Sequence, residues 1–305
     1  MTSALILAAG EVQSEGRRKP VDAIGGISSI RRLISVFVQA GIKKIIVVSG
    51  YEAAVLERHC AHMGVIFLRN KDYKTGDMLS SAKIGIRYLK GKCQRTFISP
   101  VNFPFFSDKT IKSMTSADEP IVIPMYNNKT GHPLLLSESL FDMVLDYEGP
   151  SGLEGALSGA DVSRRFLDVP DAGILIDMRT DTNMSDMLEN HSLREIRPDA
   201  RILLSGEKVF FSPETLHLLT LTDESGSLKY AASQMGISYS KAWQLITDIE
   251  TQLGFSVLDS RQGGRNGGGS VITDKGMEFI SRYEVFLSEC VDTINTIFGK
   301  YFKEE

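Results

Sequence analysis

DESGSLKYAASQMGISYSKAWQLITDIETQLGFSVLDSRQGGRNGGGSVIT, residues 223–273, is the stretch whose reading decides the carboxyl-terminal fold. Leu228, Ala231, Ala232 and Met235 recur at helical spacing, Gly236 stands where the chain needs a left-handed turn, and Ser238 can cap the helix that follows. In that second helix Ala242, Trp243, Ile246, Ile249 and Leu253 form one apolar face. Ser240, Lys241, Gln244, Thr247 and Thr251 are left on the other, and such a small polar face is the kind that enters a major groove. Phe255–Leu258 and Ser270–Thr273 read as short strands, joined by a glycine-rich loop carrying Arg261 and Arg265. Glycines let the loop lie close to a phosphate backbone with its two arginines attached. That order of parts is the plan of a winged helix-turn-helix.

GSLKYAASQMGISYSKAWQLI followed by GGRNGGGSVITDKG resembles the DNA-binding domain of the molybdate-responsive ModE regulators, itself similar to the LysR-type domain. The resemblance covers roughly a third of the chain and implies double-stranded DNA as a partner, read by Ser238, Ser240, Lys241 and Gln244 with Arg261 and Arg265 on the backbone. A packing or dimer module is the alternative use of such a fold. Charge gives the DNA reading little help. Residues 195–305 carry 11 Lys and Arg against 16 Asp and Glu, so the cations must be placed rather than abundant, with Asp248, Asp259 and Asp274 in opposition. Modest nonspecific affinity is expected, because phosphate neutralisation dominates that term.

Outward from this segment, 305 residues with 42% hydrophobic content suffice for two domains, expected at 1–193 and 194–305. The three cysteines, Cys60, Cys93 and Cys290, lie far apart and show no metal or disulfide spacing, which points to a reducing cytoplasm. The apolar opening Ala4–Ala9 is too short to span a bilayer and reads as a buried strand, so no membrane is expected. It ends in Gly10. A polar loop, a helix over Ile30–Gln39 and a second buried strand, Lys44–Ser49, make a parallel βαβ unit. Further strands are expected at Val65–Leu68, Thr96–Ser99, Ile121–Pro124 and Leu134–Leu136, with helices near Glu52–Met63, Met78–Leu89 and Ser107–Ser116. The alternation predicts an α/β fold, a Rossmann-like, doubly wound, mainly parallel sheet with its ligand beyond the carboxyl ends of the strands. An α+β winged helix-turn-helix with a long helix then follows.

The loop LAAGEVQSEGRRKP fits neither a Walker A nor a dinucleotide fingerprint. It resembles the opening of the MobA/MocA-type nucleotidyltransferases, and SGY at 49–51, Asn70, Gly76, Met78, Ser80, Ser81 and GHP at 131–133 follow in that family's order. The resemblance covers roughly residues 1–193 and implies a nucleotide or anion site at Ala8, Ala9, Gly10, Gly16, Lys19, Ser81, Asn102 and Arg179. In the family such a domain passes a nucleotidyl group from an NTP to a phosphorylated acceptor, often a molybdenum-cofactor pterin, with magnesium held by carboxylates.

Here the pattern departs. Val12 and Ser14 replace the family's first-loop serine and arginine. SPVNFP puts Asn102 where a magnesium aspartate would stand, and DMRTDTNMSDML puts Arg179 in the place of a second one. GPSGLEG at 149–155 lacks the charged residues of the corresponding family segment. At ~4 Å and an effective dielectric near 20, each unit charge is worth about 4 kcal/mol, so a cation in place of an anion opposes a divalent metal. No catalytic or metal-ligating residue is therefore assigned, although Asp177, Asp181, Asp72 and Asp77 could substitute. An alignment slip would leave Asn102 and Arg179 apart. With Arg17, Arg18 and Lys19, Arg179 is expected to hold a nucleotide, a molybdopterin-like pterin or an oxyanion directly.

Glu189–Pro198 reads as a linker, and Arg201–Leu204 with Lys208–Phe211 as a small hairpin before a helix opening at Ser212–Pro213. Met277, Ile280, Tyr283, Leu287, Val291, Ile294 and Phe298 make one long amphipathic helix, which in ModE-like and LysR-like proteins joins two subunits of a homodimer. ModE regulators carry a molybdate-binding module after the DNA-binding domain, and none is expected before Glu305. The sequence reading is thus a cytoplasmic transcription regulator with a sensing transferase-like domain. The alternative is an active bifunctional molybdenum-cofactor cytidylyltransferase.

Overall fold

A computed structural model describes residues 1–10, 19–60, 63–159, 161–180, 198, 202–260 and 269–302. The chain divides into two compact units, Met1–Glu195 and Ile196–Glu305.

In the first unit, β1 (Thr2–Ala8) is followed by a two-stranded ribbon, β2 (Ala23–Ile24) and β3 (Ile27–Ser28), and by helix α1 (Ser29–Gln39). Then come β4 (Lys44–Ser49), α2 (Ala53–His59), β5 (Ile66–Arg69), α3 (Met78–Leu89), β6 (Arg95–Pro100) and α4 (Asp108–Thr115). The unit continues through β7 (Ile121–Tyr126), β8 (Lys129–Thr130), β9 (Leu134–Ser137), α5 (Phe141–Asp146), α6 (Gly152–Ser158) and β10 (Arg164–Asp168).

The main sheet runs β10-β7-β9-β6-β1-β4-β5, with β8 paired to β7. Its β6-β1-β4-β5 core is parallel, whereas β9 is antiparallel to both β6 and β7. Strands covered on both faces read as unbroken apolar runs, which is why β1 and β4 are so uniformly hydrophobic. Phe37 of α1 packs on Phe97 and Phe106, with ring centroids 5.7 and 5.6 Å apart, joining α1 to β6 and to the segment before α4 through one aromatic cluster. Arg95 donates to the carbonyls of Thr115, Ala117 and Glu119, and so ties the end of α4 to the start of β7. β10, α5 and α6 are elements the sequence reading does not contain. β10 is an edge strand of largely exposed residues and carries no apolar alternation.

The second unit opens with the ribbon β11 (Leu204–Ser205) and β12 (Val209–Phe211). Helix α7 (Pro213–Ser225) starts at a capping box: Ser212 accepts from the Thr215 amide, and the Thr215 hydroxyl accepts from the Ser212 amide at 2.7 Å. It is followed by α8 (Leu228–Gln234), α9 (Tyr239–Leu253), the hairpin β13 (Leu258–Ser260) and β14 (Ser270–Ile272), and α10 (Asp274–Phe302). Gly236 (φ +69°) makes the left-handed turn between α8 and α9.

The first hairpin strand begins at Leu258, not at Phe255. Glu250 of α9 reaches back, and its Oε1 accepts from the Val257 and Leu258 amides at 2.8 and 3.1 Å, so helix chemistry rather than a strand partner holds the connection. Ile280 and Tyr283 of α10 are buried, and Tyr283 packs edge-on against Phe211 at 4.7 Å. Further along, Val285, Phe286, Ile297, Tyr301 and Phe302 are exposed.

Candidate functional site

The carboxyl ends of β1 and β6 and the start of α3 enclose a cleft in the first unit. Ala8, Ala9 and Gly10 line it from β1, Pro100–Asn102 from β6, and Gly76, Asp77, Met78 and Ser81 from the α3 end. Its wall is tight where β4 ends. A Cβ on Gly50 would stand 2.6 Å from the Ala9 carbonyl oxygen and 2.7 Å from the Tyr73 Cβ, so no side chain fits there. Asp77 caps α3 by accepting from the Ser80 amide at 2.8 Å, and the Ser81 hydroxyl accepts from Asn70 at 3.0 Å. Both acceptors are therefore engaged in holding the helix start.

Asn102 and Arg179 line this same cleft. They meet because the Met178 amide donates to the Asn102 carbonyl at 2.9 Å, laying residues 177–179 beside the end of β6. Asn102 is 7% exposed, and its Nδ2 makes no well-directed hydrogen bond. The Asp177 carboxylate is the acceptor nearest to it, so the amide is open to a better-placed partner.

Arg179 is not the bare cation that the sequence suggested. Its Nη2 and Nε donate to Asp177 at 2.7 and 3.1 Å. Burial works most strongly against the Asp177 charge, but hydrogen bonds from the Arg179 side chain and amide, with the Asn102 amide close by, bring its carboxyl below the ordinary range. Lys19 lies in a neighbouring recess with Tyr51, where its Nζ donates to both oxygens of Glu52 at 3.1 and 3.0 Å. The two cations are thus already neutralised by carboxylates. The Lys19–Glu52 pair is exposed, so an anionic ligand can displace Glu52 easily, whereas Asp177 is only 16% exposed and is left poorly solvated if a ligand takes Arg179 from it.

A metal-dependent transferase would need hard anionic oxygens here. Among the described residues no group of three His, Cys, Asp or Glu side chains is arranged for a cation, Asn102 brings no charge, and Asp177 is taken by Arg179. Among the described residues the donor set does not fit a magnesium site. Gly16, Arg17, Arg18 and Asp181 lie outside the described residues.

His132, within the GHP segment, contributes what its sequence position did not reveal. Its ring packs on Phe103 at 4.3 Å, its Nδ1 is buried without a partner, and burial pushes its pKa down to about 4 despite the attraction of Asp177. It is neutral at physiological pH.

In the second unit, α9 buries Ala242, Ile246 and Ile249 and exposes Ser240, Lys241, Gln244, Thr247 and Thr251. Ser238 serves as the cap, its hydroxyl accepting from the Lys241 amide at 3.1 Å. Gln244 Nε2 donates to Asp248 Oδ1 at 3.0 Å, and Lys208 Nζ donates to the same oxygen at 2.7 Å. Arg261, Arg265 and the glycines between β13 and β14 up to residue 268 lie outside the described residues. No described helix is long and apolar enough to cross a membrane.

Comparison with known proteins agrees with both halves. Residues 213–277 match the bacterial regulatory helix-turn-helix proteins of the lysR family. The DNA-binding transcriptional dual regulator ModE of Escherichia coli is 34% identical over 89 residues, 28% of this chain and 34% of ModE. The molybdenum-pterin-binding protein MopB of Rhodobacter capsulatus is 34% identical over 70 residues, 23% of this chain and 26% of MopB. The match thus spans about a third or less of these curated relatives. A crystal structure of Rv0371c with manganese, from Mycobacterium tuberculosis, superposes with a TM-score of 0.51 at 18% identity, covering 62% of this chain and 98% of that one. That likeness shows the fold. The carboxyl-terminal part is a LysR-type helix-turn-helix region resembling ModE, and residues 4–165, over half of the sequence, match the MobA-like NTP transferase domain, the family to which this chain belongs.

Proposed function

We propose that the chain is a transcription regulator of molybdenum or molybdopterin cofactor metabolism. In this reading the MobA-like domain binds a nucleotide, a pterin phosphate or an oxyanion and shifts DNA binding by the helix-turn-helix unit. The observation that carries it is a cleft lined by Asn102 and Arg179, the latter paired with Asp177, in a chain that keeps a solvent-facing α9. A cleft that sets an amide and a guanidinium side by side suits holding an anion better than activating one. Control of DNA binding then requires the ligand to favour one of two states, which is where its binding energy enters. A cytoplasmic homodimer joined along α10 belongs to the same reading.

Thermal-shift and calorimetric titration of the full chain with CTP, GTP, a pterin phosphate, molybdate and tungstate tests it. Binding is expected to persist in EDTA and to be lost in Arg179→Met. Binding that needs magnesium and releases pyrophosphate would make the domain a working transferase, and no binding by any compound would end the sensor reading.

A further inference from the structure

Gln244, Asp248 and Gln252 stand one turn apart on α9 and form a polar stripe along one side of the helix. The ribbon of β11 and β12 lies against the far end of this stripe. Its turn residue Gly206 comes so close to Gln252 that a Cβ would overlap the side-chain amide, and Lys208 reaches Asp248. The near end, at Gln244, is open to solvent. Asp248 therefore joins a cation on the ribbon to an amide on the exposed helix face, using one carboxylate oxygen for both.

We propose that Asp248 is a positioning residue for sequence selectivity, orienting Gln244 to read an adenine edge and holding Lys208 back from DNA phosphates. This rests on the reading that the exposed face of α9 meets DNA. A free glutamine side chain loses rotamer freedom when it binds, and its amide can present either end. The hydrogen bond to Asp248 uses one N–H of Gln244 and fixes the nitrogen on that side. The second N–H and Oε1 remain, the donor and acceptor that pair with N7 and the N6 amino group of adenine. Lys208 meanwhile carries its charge beside the helix face that would lie in the groove. Its pairing with Asp248, a weak restraint in so exposed a pair, competes with a phosphate contact that would strengthen binding to every sequence alike. The carboxylate thus has one effect on selectivity and an opposite one on general affinity, and the two are separable by substitution.

The test uses the full chain, a selection from a random-sequence duplex library to find the preferred site, and poly(dI-dC) as the nonspecific probe. Asp248→Ala is expected to lower the preference for adenine at the position read by Gln244 about tenfold, the order expected for one bidentate base contact. It is also expected to raise affinity for poly(dI-dC), with a log–log salt slope steeper by about one as Lys208 is freed. Asp248→Asn keeps an acceptor for Gln244, so base preference is retained while the salt slope still steepens. Combined with Gln244→Ala, Asp248→Ala should cost no further selectivity.

Retained base preference in Asp248→Ala, or selectivity losses that add in the double variant, would overturn the positioning role. An unchanged salt slope in both Asp248 variants would overturn the restraint on Lys208. If instead Gln244→Ala and Lys241→Ala leave binding to the selected site untouched, the DNA-reading face has been misplaced, and the proposal falls with it for a distinguishable reason.

Discussion

Replacing Glu250 by alanine is expected to loosen the connection between α9 and the hairpin that follows it, without touching any residue proposed to meet DNA. Glu250 Oε1 accepts from two successive backbone amides, Val257 at 2.8 Å and Leu258 at 3.1 Å. Hydrogen bonds to a charged acceptor contribute about 1.5–3 kcal/mol each, and two donors sharing one oxygen bring the sum to about 2–3 kcal/mol. Hydrogen exchange at these amides reads the loss locally, which suits a chain of two compact units because it needs no single global transition. In Glu250→Ala the two amides should exchange about 30- to 150-fold faster, the factor corresponding to that free energy. Glu250→Gln keeps an oxygen in place and should lose only about half of the protection in free-energy terms. Unchanged exchange in the alanine variant, or equal loss in both variants, would refute the account. Because β13 leads into the arginine-bearing loop, DNA affinity should fall in step with the lost protection.

Three further expectations follow from other parts of the molecule. His132 has its pKa lowered from 6.5 to about 4, so the unfolded chain takes up a proton that the folded one refuses. Its contribution is fully present above pH 6.5 and is lost progressively toward pH 4, by about 3 kcal/mol, a slope in urea unfolding that His132→Phe should flatten. Gly50→Ala forces a methyl against the Ala9 carbonyl and the Tyr73 Cβ and should cost about 1–3 kcal/mol, lowering the melting temperature of the first unit. If α10 joins the proposed dimer, placing glutamate at both Val285 and Phe286, exposed on that helix, should convert it to a monomer in sedimentation analysis. Unchanged sedimentation would remove α10 as the joining surface.

Periodicity made much of this molecule legible. The apolar repeat of α9 separated its buried face from its exposed one, and the uniform hydrophobicity of β1 and β4 announced strands covered on both sides. Local chemistry was legible too, as in the Ser212–Pro213 helix start. What escaped was pairing between residues distant in sequence or without apolar pattern. Lys208 and Asp248 are 40 residues apart, and nothing in either neighbourhood specifies the partner. β10 is charged and lies at a sheet edge, so it shows no alternation to read. Asp177 and Arg179 are two residues apart, yet a motif comparison that treats each position separately sees an acid lost and a base gained, not a neutral pair.

That neutral pair changes how ionic strength should act on the cleft. A ligand arriving at an isolated guanidinium gains a full Coulomb attraction that added electrolyte weakens. In the proposed site a newcomer would have to displace Asp177, and electrolyte weakens the bond that would be broken along with the bond that would be made. The two effects largely cancel, so the dissociation constant for an anion at Arg179 should drift little between dilute buffer and concentrated sodium chloride.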